Sequence, residues 1–381
     1  MRSKNITPAK QEYHCINPER IYAPGGSIMT KKLLKGAAIG TSAVAGVLGL
    51  FSTVVYECML NIRLAGKIGE KFSPAVTDEP ETLNDAKSNP SEINAEALKV
   101  QAEKKAQREE EEKALSEENA RFNEAVSAWL SVHKASDLYI ENENKVKRHA
   151  KFFNNGHPEK WAIIFHGFTS APPGMYHYAY TYGEMGFNCI LPSMIGHGDD
   201  TNRYCSMGYH DRYMGIDWIK YIVSLYPDAE IVLHGESMGA ATTMLITGEE
   251  LPSNVKCAVA DCGFTNCLEE YKHVAKNQMT PAMVPLLSVL SLYSELRGNF
   301  NFKKCSPVDA VKKSVTPTLF VHGERDDFVP FRMLNELYSA CNAPKEYFTV
   351  KNAAHAESST KSPRLYWTNV SEFLKKHVSS W

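Results

Sequence analysis

The chain lacks most of what would mark a nucleic-acid binder, a disulfide scaffold or a metalloprotein. Lys and Arg number 42 against 44 Asp and Glu, a formal net charge of -2, so no global basic field is available to hold a phosphate backbone and nucleic acid is not expected as a partner. Cysteine is scarce: nine residues in 381, an odd number with no C-x-x-C pair, too few to staple a chain of this length. Cys257, Cys262 and Cys267 fall five apart, which matches no zinc spacing. They read as buried free thiols, and neither a metal nor an organic cofactor is expected. With 43% hydrophobic and 23% charged residues, the chain can bury a full core.

One uncharged stretch is also largely apolar, and it is informative. Residues 36–56 contain no charge over 21 positions and are rich in Ala, Val, Leu and Gly, about the length of one bilayer-spanning helix. The run exceeds the apolar core of a signal peptide and no A-x-A site closely follows, so it reads as an uncleaved single-pass anchor. Lys31, Lys32 and Lys35 before it are nearly offset by Arg63, Lys67 and Lys71 after it. The membrane orientation therefore stays open, with the part that follows the run favoured outside the cytoplasm. Residues 1–35 form a tail without periodicity, in which Met29 is an alternative start to Met1. Residues 57–119 shift to Glu, Lys, Ala, Asn and Pro and read as a charged linker or stalk. Its second half, 92–118, consists of strong helix formers with charges of both signs at i, i+4.

From about residue 120 to 381 short apolar runs alternate with helical patterns. The runs fall at 161–165, 187–191, 230–233, 257–260, 318–321 and 347–350, and such continuous apolar strands predict a mostly parallel central sheet with helices on both faces. Residues 265–309 interrupt the alternation with Pro281, Pro285 and an apolar run at 286–293. This stretch reads as a small helical cap, either bounding a pocket at the sheet's C-terminal edge or simply packing on the domain.

The strand at 230–233 leads through His234 into Gly235-Glu236-Ser237-Met238-Gly239 and then a helix-forming segment. A serine between strand and helix in G-x-S-x-G spacing is held at a sharp turn with its Oγ presented above the sheet edge. The glycines are required because the elements approach too closely for a Cβ. A nucleophilic serine needs a base, and the base an orienting acid. Downstream, the strand at 318–321 ends in His322-Gly323-Glu324-Arg325-Asp326-Asp327 and the strand at 347–350 is followed by Ala354-His355. The order Ser237, Asp326, His355 is that of a hydrolase triad. Asp327 is a competing neighbour and Asp261 an alternative acid after the preceding strand. Upstream, His166-Gly167-Phe168 ends the strand at 161–165, and the backbone N–H groups of Phe168 and Met238 are the expected oxyanion donors.

These four motifs in this order resemble the α/β-hydrolase superfamily. Within it they are most similar to the serine-aminopeptidase-like branch and its membrane-anchored bacterial hydrolases. The resemblance covers about residues 120–381 and implies an α/β-hydrolase fold with Ser237, Asp326 and His355 as catalytic residues and a small-molecule acyl substrate. The turn Pro192-Ser193-Met194-Ile195-Gly196-His197-Gly198 departs from the aspartate and arginine of many relatives. Carboxylic ester hydrolysis is the expected activity. Peptidase, thioesterase and acyltransferase chemistry would use the same machinery, and a membrane-tethered binding protein is the alternative from another class. The oligomeric state is left open.

Overall fold

The computed structural model describes residues 93–380 apart from Arg203. The tail, the 36–56 run and the first part of the linker lie outside the described residues. Among the described residues no helix is long and apolar enough to cross a membrane.

Helix α1 (Ile93–Val132) contains 40 residues, about 60 Å at 1.5 Å per residue. Its early turns carry exposed i, i+4 ion pairs, Lys105 with Glu109 and Arg108 with Glu112, each contributing only about 0.3–0.5 kcal/mol. From Leu115 the less exposed positions recur at Glu118, Asn119, Phe122, Ala125, Val126, Trp129 and Leu130, the period of a helix laying one face on a surface. The helix therefore runs uninterrupted across residue 119 and docks the part from Leu115 onward. Trp129 packs 5.1 Å from Phe153 and Phe122 5.8 Å from Tyr180, between ring centroids.

The sheet of the described residues has eight strands in the order β1-β2-β4-β3-β5-β6-β7-β8. β1 (Ser136–Glu141) and β2 (Lys147–Phe153) form an antiparallel hairpin, and β2 pairs antiparallel with β4 (Asn188–Pro192). β3 (Lys160–Phe165), β5 (Glu230–Glu236), β6 (Val255–Asp261), β7 (Thr318–Gly323) and β8 (Lys345–Val350) continue the sheet in parallel. The chain has the α/β-hydrolase fold.

Alternation along the buried strands divides the core in two. Ile163, Phe165, Ile231 and Leu233 face one layer, with Trp218 and Ile222 of α3 (Asp211–Leu225) and Ala241 and Leu245 of α4 (Met238–Thr247). Ala162, Ile164 and Val232 face the other, with Tyr178 and Tyr182 of α2 (Tyr176–Glu184) and Tyr366, Trp367 and Phe373 of α10 (Pro363–His377).

Between β6 and β7 the chain forms α5 (Cys267–Val274), a π turn, a 3-10 turn, α6 (Leu286–Gly298) and the short α7 (Pro307–Val311). Leu287 and Leu290 of α6 are buried in the main core, while Val289, Leu292 and Leu296 face outward. Leu290→Ala is expected to lower stability by about 2–5 kcal/mol, measured by urea unfolding. An unfolding midpoint equal to the parent's would show that Leu290 does not pack in the core.

After β7, α8 (Arg332–Ala340) covers the far side of α4, and α9 (Ser358–Lys361) precedes α10. The C-terminus is tied back by Glu230, whose carboxylate accepts hydrogen bonds from Ser379 N (3.0 Å), Ser379 Oγ (2.7 Å) and Ser380 N (2.7 Å). Burial opposes the charge, but these serine contacts outweigh it and hold the carboxyl at about 2. A carboxyl held below its unfolded value stabilises fully above the ordinary carboxylate range and loses that contribution as pH falls toward 2. Glu230→Gln is therefore expected to unfold earlier at pH 7, by about 1.5–3 kcal/mol, with the gap to the parent closing as pH is lowered from 4.5 to 2. A gap independent of pH would mean that packing, not charge, anchors the terminus.

Candidate active site

The C-terminal ends of the parallel strands carry the site. At the end of β5 the chain turns into α4 through Ser237, whose φ of 56° and ψ of -116° are strained for a non-glycine residue, at a cost of about 1–3 kcal/mol. The sterics of the turn explain its flanking glycines. A Cβ on Gly235 would lie 2.1 Å from Gly239 O, and one on Gly239 would lie 2.0 Å from Phe165 O. Ser237 N–H donates to Asp261 O at 2.8 Å, which pins the elbow to β6.

Ser237, His355 and Asp326 come together. His355 Nδ1 lies 2.8 Å from Asp326 Oδ2, and Ser237 Oγ lies 2.8 Å from His355 Nε2. An ionised carboxylate only accepts, so Nδ1 carries the proton and Nε2 is left to accept from the serine hydroxyl. The loop after β7 fixes the acid: Asp326 Oδ1 accepts from Phe328 N (3.0 Å) and Val329 N (2.8 Å). Burial works against the charge, but hydrogen bonds from His322 and His355 keep the carboxyl at about 2. Asp327 is exposed, and its backbone carbonyl accepts from His273. Asp261 supports the elbow through its backbone and is not the group bonded to His355.

Phe168 and Met238 stand on the loop after β3 and at the first position of α4. Among the described residues neither amide N–H has a hydrogen-bond acceptor, as an oxyanion donor requires. A Cβ on Gly167 would lie 3.4 Å from Ser237 Cβ, so this loop lies directly against the elbow.

Several further residues at the site make contacts that the sequence motifs do not specify. His322 lies 3.3 Å from Asp326 Oδ2 while its Nε2–H donates to Val329 O at 2.9 Å; its position four residues before Asp326 is the clue to this contact. Glu236, beside the serine, accepts from Tyr178 OH at 3.0 Å, and burial together with Asp261 pushes its carboxyl up to about 8. Cys262, left-handed at φ 47°, sits with Asp326 and His355 in a set of potential metal ligands lying within 4.8 Å of one another. Asp326 and His355 are already engaged with each other. A second such set, Asp137, His149 and Asp199, lies at the β1–β2 hairpin, where Lys151 Nζ bonds Asp137 Oδ1 at 2.5 Å.

A serine at a strand-to-helix elbow, bonded to an imidazole that a buried carboxylate holds, on this sheet, defines a serine hydrolase of the α/β-hydrolase superfamily. Residues 177–380 match the prolyl oligopeptidase family, and the chain belongs to it. It is 29% identical over 217 residues to the uncharacterized protein YqkD of Bacillus subtilis, an alignment covering 56% of this chain and 70% of that protein. It is 27% identical over 192 residues to the putative esterase YitV of the same organism, covering 46% and 72%. The Pyrococcus furiosus esterase Pf2001 shares the fold, with a TM-score of 0.53 at 23% identity over 65% of this chain and 94% of that one.

Proposed function

We propose that this hydrolase cleaves carboxylic esters of small acyl substrates by way of an acyl-enzyme on Ser237. The observation that carries the reading is the unbroken hydrogen-bond chain from Ser237 through His355 to Asp326 at the elbow. Ser237 Oγ attacks the acyl carbonyl carbon as its proton passes to His355 Nε2. The Phe168 and Met238 N–H groups receive the oxyanion, and Asp326 stabilises the imidazolium. As the tetrahedral centre collapses, the proton goes from Nε2 to the departing alkoxide. Water, deprotonated by His355, then attacks the acyl-enzyme and returns Ser237 to its starting state. The similarity to a putative esterase supports an ester substrate, and membership of a peptidase family keeps peptide bonds as the second reading.

Parallel assays with p-nitrophenyl esters of graded chain length, thioesters and peptide anilides separate the two. The ester reading expects kcat/KM for the best ester to exceed that for any anilide by more than the difference in intrinsic reactivity of the two bonds. Preferential turnover of anilides would overturn it and leave peptidase as the activity.

The 36–56 run serves in this reading as a single-pass membrane anchor. The full-length chain is expected to sediment with membranes and to resist carbonate extraction. Release by carbonate would remove the anchor from the proposal.

A further inference from the structure

We propose that His197 is a positioning residue that holds the oxyanion loop in its donor geometry. The inference rests on Ser237 and Phe168 acting as proposed above. Thr169, directly after Phe168, has φ 63°, a left-handed conformation that is a true outlier for a β-branched residue and that persists only where the surroundings impose it. Two hydrogen bonds within the turn hold it, Thr169 Oγ1–H to Phe168 O at 2.6 Å and Ser170 N–H to Gly167 O at 3.3 Å, and one comes from another loop: Thr169 N–H donates to His197 Nε2 at 3.3 Å. His197 can accept there because its Nδ1–H donates to Ile195 O at 3.0 Å, which leaves the lone pair on Nε2.

The ring is itself fixed. It is 1% exposed and lies edge-on to His166 and Phe168, with centroids 5.2 and 6.0 Å away. Its backbone belongs to a loop that has little freedom. His197 N–H donates to Met194 O at 2.8 Å, and Ile195 N–H donates to the buried Asp211 Oδ1 at 2.7 Å. Gly196, at φ 81°, lies so close to the Tyr204 backbone that a Cβ would come within 2.8 Å of it. Burial holds the imidazole well below its ordinary value, at about 4, so it remains a neutral acceptor at neutral pH.

His166 adds a second tie, since its Nδ1–H donates to Gly167 O (2.9 Å) and its Nε2 accepts from Met194 N (3.3 Å). The loop after β4 thus grips the loop after β3 on both sides of the Phe168 peptide. His197 acts on the peptide unit that follows Phe168, and through it on the direction of the Phe168 N–H.

His197→Asn keeps a polar group near Nδ1 and removes the acceptor at Nε2, whereas His197→Gln places an amide oxygen near the Nε2 position. On the best ester, His197→Asn is expected to lower kcat about 10- to 100-fold, short of the 10²–10³ for deleting an oxyanion donor outright, with KM within about threefold. His197→Gln should recover most of the loss. Affinity for a trifluoromethyl ketone, which forms the oxyanion on Ser237, should fall in the same proportion as kcat/KM across the series. Thr169→Gly, which allows the left-handed conformation without strain, should partly restore kcat in the His197→Asn background. If His197→Asn does not fold, His197→Leu, of similar bulk with no polar atom, carries the same comparison.

A kcat within about twofold of the parent in the folded variant overturns the inference. So does a loss that appears in KM and in the unfolding midpoint but not in ketone affinity. If Ser237→Ala retains turnover, the functional reading itself fails, and this inference falls with it. Turnover that depends on Ser237 but is indifferent to His197 overturns this inference alone.

Discussion

Ser237→Ala is expected to abolish ester turnover, a fall of about 10⁶ in kcat, and to eliminate covalent labelling by a fluorophosphonate. The serine has no substitute at its position. The elbow places one side chain against His355 Nε2, and the flanking glycines have none. Alanine fits the space, and the Ser237 amide can keep its bond to Asp261 O, so the fold should survive and circular dichroism should be unchanged. Labelling that persists in the folded variant would move the nucleophile elsewhere.

The second large effect separates two adjacent acids. In Asp326→Asn the amide oxygen can keep the Phe328 and Val329 N–H groups that now bind Oδ1, which turns the amide NH2 toward His355. An NH2 facing Nδ1 favours the tautomer protonated at Nε2, which cannot accept the serine proton. The expected loss is about 10⁴ in kcat, about 5.4 kcal/mol at 1.36 kcal/mol per tenfold. Asp327→Asn should stay within about tenfold of the parent, because that side chain is exposed and its backbone carbonyl, not its carboxylate, meets His273. The comparison is made in steady-state assays on folded proteins, and the reverse order of effects would transfer the orienting role to Asp327.

Both predictions concern residues visible in the sequence, and the reason is local. An elbow that brings a Cβ within about 2 Å of backbone must be written with glycine at Gly235 and Gly239, and a triad fed from strand ends must follow the order of the strands. The buried parallel strands were legible for a similar reason, since both faces are covered and the runs are continuously apolar. The β1–β2 hairpin was not. β1 is the edge strand of the sheet, and Asp137, Glu141 and Lys147 lie on one face of the pair while Leu138, Ile140, Ala150 and Phe152 lie on the other, so no continuous apolar run marks either strand. The turn gave a faint clue in Asn142, whose Oδ1 accepts from Asn144 N and Val146 N.

The docked end of α1 was hidden by charged neighbours that mask the stripe starting at Leu115. The role of His197 was beyond reach for a different reason. Its partner Thr169 lies 28 residues away in the chain, and only the fold sets one loop against the other.

The unbroken course of α1 has a geometric consequence besides length. Its C-terminal part is clamped to the domain from Leu115 onward, and the same helix continues outward to Ile93, about 33 Å at 1.5 Å per residue. A continuous helix transmits angle as well as distance. Each residue inserted before Leu115 would turn everything upstream by about 100° relative to the active-site mouth while shifting it by only 1.5 Å, and seven residues would return it to within about 20° of its starting azimuth. A change in the length of this segment would therefore alter its heading relative to the strand-end face, in the manner of a keyed shaft, more than it alters its reach.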